Sequence, residues 1–167
     1  MKITTNADKL ISQLKKYRDG LSPKKQEFVK RLGDIGVNAA IFSLTGGIGD
    51  TPKDATFGIY FESLGNPVIG FVRGKTSNPE DLLFWEFGAG NYYNGMKSPN
   101  PKAGELGMGI GTYPGQTHVP NPGVWWYKGE DGKKHFSRGT KAAMPMYNAS
   151  VEMYDKIEEV AREVFNV

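Results

Sequence analysis

FGIYFESLGNPVIGFVRG, residues 57–74, is the stretch on which the fold turns. Ile, Val, Phe and Tyr dominate it, and such side chains fit a pleated, half-buried surface. Leu64-Gly65 interrupts two apolar runs, so the stretch predicts a hairpin of strands 57–63 and 66–74. Working outward from it, the question is what covers one face of that hairpin.

Upstream, the turn-rich loop SLTGGIGDTPKDA (43–55) leads back to helical spacing. Phe28, Leu32, Ile35 and Ala39 form a stripe running to about Phe42. Ser22-Pro23 offers an N-cap followed by proline at the first helical position, which predicts a helix start there. Before it, Leu10, Ile11, Leu14 and Tyr17 predict a separate short amphipathic helix over 8–18, ended by Gly20. Gly33 and Gly36 weaken the second helix by up to about 1 kcal/mol each against alanine, so close packing on a neighbour is expected there.

Downstream, LLFWEFG (82–88) is apolar on both faces except at Glu86, and predicts a third strand. Residues 89–124 hold eight glycines, five prolines and three charged residues. That composition forbids long regular elements and predicts a long insertion whose aromatics fold onto something. Val124–Tyr127 and Lys134–Phe136 then predict a hairpin turning at Glu130-Asp131-Gly132. Trp125, Trp126 and Tyr127 alternate faces on its first strand. From Pro145 onward, Met146, Ala149, Met153, Ile157, Val160 and Val164 recur at helical spacing and predict a long amphipathic helix. The expected fold is therefore α+β: an antiparallel sheet with N-terminal helices and a long C-terminal helix packed on one face, in a single domain over 1–167 with 89–124 as a loop insertion.

The chain of 167 residues has no cysteine, which excludes disulfides, thiolate catalysis and cysteine-ligated zinc. MKITTNADKL lacks the apolar core of a signal peptide, and no run reaches the roughly 18–20 apolar residues of a membrane span, so a soluble protein without membrane association is expected. The net charge of +3 is unevenly spread. Residues 1–36 carry nine Lys/Arg against four Asp/Glu, and residues 151–167 carry two against five. Solvated helix faces of opposite sign account for this, and so does head-to-tail contact between copies; the basic patch is too sparse to point to nucleic acid.

Catalytic signatures are absent from the local sequence. His118 and His135 sit in no metal-binding pattern, so neither a metal nor another cofactor is expected. Ser137 and Ser150 lack a nucleophile elbow. GMGIGTYPG (107–115) follows no clear strand, opens no helix and has no Lys-Ser/Thr, and TGGIGDTPK (45–53) lacks the spacing of a phosphate loop. Glu86 and Glu105 are the only carboxylates near the aromatic region for glycoside cleavage, and Glu86 is more simply an ion-pair partner for a cation such as Arg138.

Four segments in order carry a further signal: EFGAG (86–90), GTYPGQTH (111–118), VWWY (124–127) and SRGTKAAMPMYNA (137–149), the last opening the terminal helix. Together they resemble the neck or minor tail-component family of tailed bacteriophages and prophages, also described as head–tail joining or tail-completion proteins. The likeness is strongest over residues 82–165. EFGAG resembles a family step in which threonine stands where this chain has Ala89, and AAMPMYNA resembles the segment that opens the family's last helix. TGGIGDTPKDA keeps Asp50-Thr51 of a family segment but not its order.

The resemblance implies an α+β fold, no catalysis, no cofactor, and a structural role at the head–tail junction of the virion, assembled in the host cytoplasm. It implies partners among connector, head-completion and tail proteins, and self-association in a ring. Glu86, Phe87, Gly88, Tyr113, Trp125, Trp126, Tyr127, Arg138, Gly139, Pro145, Met146 and Tyr147 are then interaction or structural residues. Met144, Met146 and Tyr147 are expected to pin the last helix against the Glu86–Gly88 strand. Two alternatives stay open. One is a binding module gripping a glycan or single-stranded nucleic acid through Trp125–Tyr127 and nearby Lys128, Lys133, Lys134 and Arg138. The other is a small hydrolase using Glu86 or Glu105.

Overall fold

A computed structural model describes residues 6–47, 54–88, 98–106, 125–128, 131–137 and 140–166. The elements are α1 (Asn6–Gly47), β1 (Thr56–Leu64), β2 (Val68–Lys75), α2 (Pro79–Phe87), β3 (Trp125–Lys128), β4 (Lys134–Ser137) and α3 (Pro145–Phe165). The strands form two separate antiparallel pairs, β1–β2 and β3–β4. The fold is α+β, as expected.

The hairpin at 57–74 forms with Ile59 opposite Val72 and Tyr60 opposite Phe71. It turns through Gly65, Asn66 and Pro67, with a cis bond between the last two and an irregularity between Phe61 and Ser63. Alternation divides β2 cleanly: Val68, Gly70, Val72 and Gly74 lie inward, while Ile69, Phe71, Arg73 and Lys75 are exposed. The inward face meets α1. A Cβ on Gly33 would lie 2.8 Å from Ile59, and one on Gly36 would lie 2.7 Å from Met153 and 3.0 Å from Val72. The two glycines therefore do what their helix-breaking cost suggested: they let a strand and a second helix approach the α1 backbone.

Two expectations fail at the level of elements. The N-terminal region is one helix of 42 residues with Pro23 inside it, where a stop at Gly20 and a restart at Pro23 were expected. Proline lacks the amide that would reach the carbonyl of Asp19, but both residues are exposed, so that carbonyl is open to solvent and the helix continues. The run 82–88 is helix, not a third strand. Asn78-Pro79 opens α2 with proline in its first turn, Glu80 and Asp81 follow, and Gly88 closes it at φ 77°.

α3 lies antiparallel along the C-terminal half of α1. Phe28 meets Phe165 (ring centroids 5.7 Å apart), Arg31 Nη1 is 3.0 Å from Glu163 Oε2, and Asn148 Nδ2 donates to Ser43 Oγ at 3.0 Å. The buried apolar set is dominated by small side chains: Ala40, Ala103, Ala142 and Ala149 with Leu44, Val72, Phe87, Val160 and Val164. The expected stripes are accordingly shifted. On α1 the buried line is Gly33, Gly36, Ala40 and Leu44, with Phe42 76% exposed. On α3, Ala149, Val160 and Val164 are buried, but Met146 and Ile157 are exposed. No described helix is long and apolar enough to cross a membrane.

Candidate functional site

The residues singled out by sequence converge where α2 ends and α3 begins. Pro145 sits in the first turn of α3 and is its fully buried large side chain. Proline needs no partner for its nitrogen, but the next two amides, of Met146 and Tyr147, are orphan donors. Met144, in the N-cap position at φ 56° and ψ 47°, has no side-chain acceptor to offer them. Glu86 supplies both. Its Oε2 accepts from the Met146 amide at 2.7 Å and its Oε1 from the Tyr147 amide at 2.9 Å. The carboxylate thus serves as an N-cap in trans, 60 residues away in sequence, and is favourably placed at the positive end of the helix dipole.

Backbone bonds complete the clamp. The carbonyl of Trp85 accepts from the amides of Ala143 (2.7 Å) and Met144 (3.0 Å), and Asn148 N–H donates to Met144 O at 2.9 Å to begin the helix ladder. On the other side, Asn100 Nδ2 donates to Glu86 Oε1 at 2.7 Å, and Ser98 Oγ donates to Phe87 O at 2.7 Å. Asn100 Oδ1 receives the Lys102 amide at 2.9 Å. Phe87 and Ala103 are buried together. The described part of the Gly/Pro-rich insertion, 98–106, is held against the end of α2 through Ser98, Asn100 and Ala103, while Leu106 is 58% exposed and the insertion's aromatics lie outside the described residues.

Among the described residues Glu86 and Asn100 are the buried polar side chains, 8% and 3% exposed. Burial pushes the Glu86 carboxyl above its ordinary value, while hydrogen bonds from the Met146 and Tyr147 amides and from Asn100 pull it back. Its partners among the described residues are amides; Arg138, the cation expected to pair with it, lies outside the described residues. Glu105 is exposed and pairs with Lys102 at 2.8 Å. Both carboxylates proposed for hydrolysis are thus engaged in structural bonding.

The junction brings together Glu86, Phe87, Gly88, Pro145, Met146 and Tyr147. Its pinning of α3 differs from expectation: main-chain amides of 143, 144, 146 and 147 hold a helix end, and the Met146 side chain is exposed. Trp125, Trp126 and Tyr127 lie apart in chain and sheet, on β3, opposite Ser137, Phe136 and His135 of β4. Asp131 and Gly132 make the turn, Gly132 at φ 73°. Asp131 Oδ1 accepts from the Lys133 amide at 3.0 Å and lies 2.8 Å from His135 Nε2, and these bonds hold its carboxyl below the ordinary range. Tyr113 and Gly139 lie outside the described residues. Among the described residues no group of three or more His, Asp or Glu side chains is placed to hold a metal ion.

Sequence reasoning missed Asn100 and the capping role of Glu86. A signal for the second existed: a helix opening MPMY has no acceptor at its own N-cap, and LLFWEFG contains one acid in an otherwise apolar run. A second feature missed is a groove of about 740 Å³ between the last turns of α1 and the first turns of α3, lined by Phe42, Ala142, Val151 and Glu152 among others. Comparison with models of known protein families, with curated proteins and with solved structures finds no match.

Proposed function

We propose that this chain is a structural, non-enzymatic component of the head–tail junction of a tailed phage or prophage, joining connector or head-completion proteins to the tail and associating with further copies of itself. The reading rests on the resemblance of four ordered segments, and the observation that carries it is the Glu86 junction. Two of those segments, EFGAG and SRGTKAAMPMYNA, are far apart in sequence and meet at Glu86, Met146 and Tyr147. Their described residues are used for amide capping and burial, a use that suits motif residues of a structural protein. The many exposed large apolar side chains on the helices also suit a protein completed by assembly. Its place is then the virion, reached from the host cytoplasm during assembly, with no cofactor.

The test is genetic and structural. Removing the gene from a phage that carries it leaves filled heads and tails unjoined, visible by electron microscopy, and expression in trans restores joining. Firmly joined particles without the protein overturn the reading.

A further inference from the structure

α1 has a free end. Every residue from Lys9 to Gly20 is exposed, including Leu10 (56%), Ile11 (49%), Leu14 (57%) and Tyr17 (69%). The first tethers to the body come at Lys25, whose Nζ is 3.3 Å from Asn66 Oδ1, and at Gln26, whose Nε2 donates to Leu64 O at 2.7 Å. The segment is therefore an arm with one apolar stripe at helical spacing, flanked by Lys9, Lys15, Lys16 and Arg18. A helix of this length is marginal in water without a partner for its apolar face.

A surface of opposite sign lies at the other end of the body. Phe42 (76% exposed) and Val151 (39%) border the groove between α1 and α3, which is lined by both Lys141 and Glu152; Tyr154 (76%) and Asp155 continue along α3, where residues 151–165 carry five acidic side chains against two basic ones. Glu158, Glu159 and Glu163 are paired to Arg162, Lys156 and Arg31. Glu152 and Asp155 form no ion pair among the described residues.

We infer that the arm of one copy docks on the groove and outer face of α3 of a second copy, Leu10, Leu14 and Tyr17 against Phe42, Val151 and Tyr154, with Lys15 and Lys16 near Glu152 and Asp155. Charge selects this occupant. Two arms pairing with each other bring like charges together, whereas arm and α3 face are complementary. Geometry excludes the chain's own arm. Tyr17 and Phe42 are 25 residues apart on one helix, about 38 Å at 1.5 Å per residue, and the arm points away from the groove. Donor and acceptor are different surfaces of one chain, so the contact is head-to-tail and propagates until it closes. This deepens the self-association in the proposed function and rests on that part of it, but not on any contact with connector or tail.

Two charge reversals test it. Lys15→Glu/Lys16→Glu makes the arm acidic against an acidic α3. Glu152→Lys/Asp155→Lys makes α3 basic against a basic arm. All four side chains are exposed, so both variants keep the fold, which circular dichroism checks. By light scattering at low salt, up to about 1 mM protein, the wild type associates and each variant alone stays monomeric. An equal mixture of the two variants associates again, because each arm then faces an oppositely charged α3. Leu14→Asp abolishes association of the wild type and, placed in both variants, that of their mixture. A wild type monomeric throughout overturns the inference and leaves head–tail joining to be judged by the gene removal. Association unaffected by Glu152→Lys/Asp155→Lys also overturns it, and assigns the arm to another occupant.

Discussion

The two halves of α1 share one backbone and obey different rules. From Gly33 to Leu44 the helix is read by its neighbours: glycine and alanine where β1, β2 and α3 press in, and a side chain as large as Leu44 at only 3% exposure. From Lys9 to Gly20 every residue is exposed, and a Cβ on Gly20 would meet no atom within 4 Å. The same residue type thus has opposite meanings. A glycine in the C-terminal half is a contact surface; in the N-terminal arm it is only a weak point in a helix. An amphipathic stripe tells which face is apolar, not whether the chain itself covers it.

The contrast can be broken by substitution, most sharply with leucine. Leu44→Ala opens a cavity and is expected to cost about 2–5 kcal/mol in urea unfolding, while Leu14→Ala stays within about 0.5 kcal/mol. Equal effects at the two sites, measured on dilute protein, mean that the arm is covered within the chain. Next comes Gly33→Leu, which forces Ile59 aside and is expected to cost about 1–3 kcal/mol despite better helix propensity.

Glu86→Gln probes what keeps α3 on the packed half. The amide retains one acceptor and turns a donor toward an N–H of the α3 end, for an expected loss of about 1–3 kcal/mol. Its pH dependence has a definite sign. Burial raises the folded-state carboxyl above its unfolded value, so the folded chain holds that proton more tightly. The contribution from this proton is fully present below the unfolded value, near 4.5, and is lost as pH rises through the raised value. Unfolding curves taken from acid to neutral pH should show that slope in the wild type and not in Glu86→Gln. A difference between the two that is flat with pH counts against the raised carboxyl. The smallest effect belongs to the arm: Gly20→Ala should increase helical circular dichroism, with at most about 1 kcal/mol of local gain and no change in the unfolding of the body.

Much of this was legible in the sequence, for reasons visible in particular residues. β-Branched and aromatic runs on either side of Leu64-Gly65, and the Asp131-Gly132 turn, mark their hairpins locally, and Pro145 marks the start of α3. Gly33 and Gly36 announced close packing. What could not be read was set by distant partners. Ser22-Pro23 has the form of a helix start, but the anchored half of α1 carries the helix through it. LLFWEFG is a short run that is apolar apart from Glu86, so it carries no period that separates strand from helix, and Leu83 is 38% exposed in α2. Glu86 stood out in the sequence as the one acid of an apolar run, but its described partners, Asn100 and two amides of the helix opened by Pro145, are 14 to 61 residues away and carry no local signal.

Pro23 sets one further property of the molecule. It removes a rung from the ladder of α1 close to the root of the arm, where bending costs least. From Lys9 to Lys24 the arm is about 24 Å long, so a bend of about 10° at its root swings the tip by about 4 Å. A lever of that length gives the chain tolerance in where its far end comes to rest, without disturbing the glycine-lined seam that holds the body together.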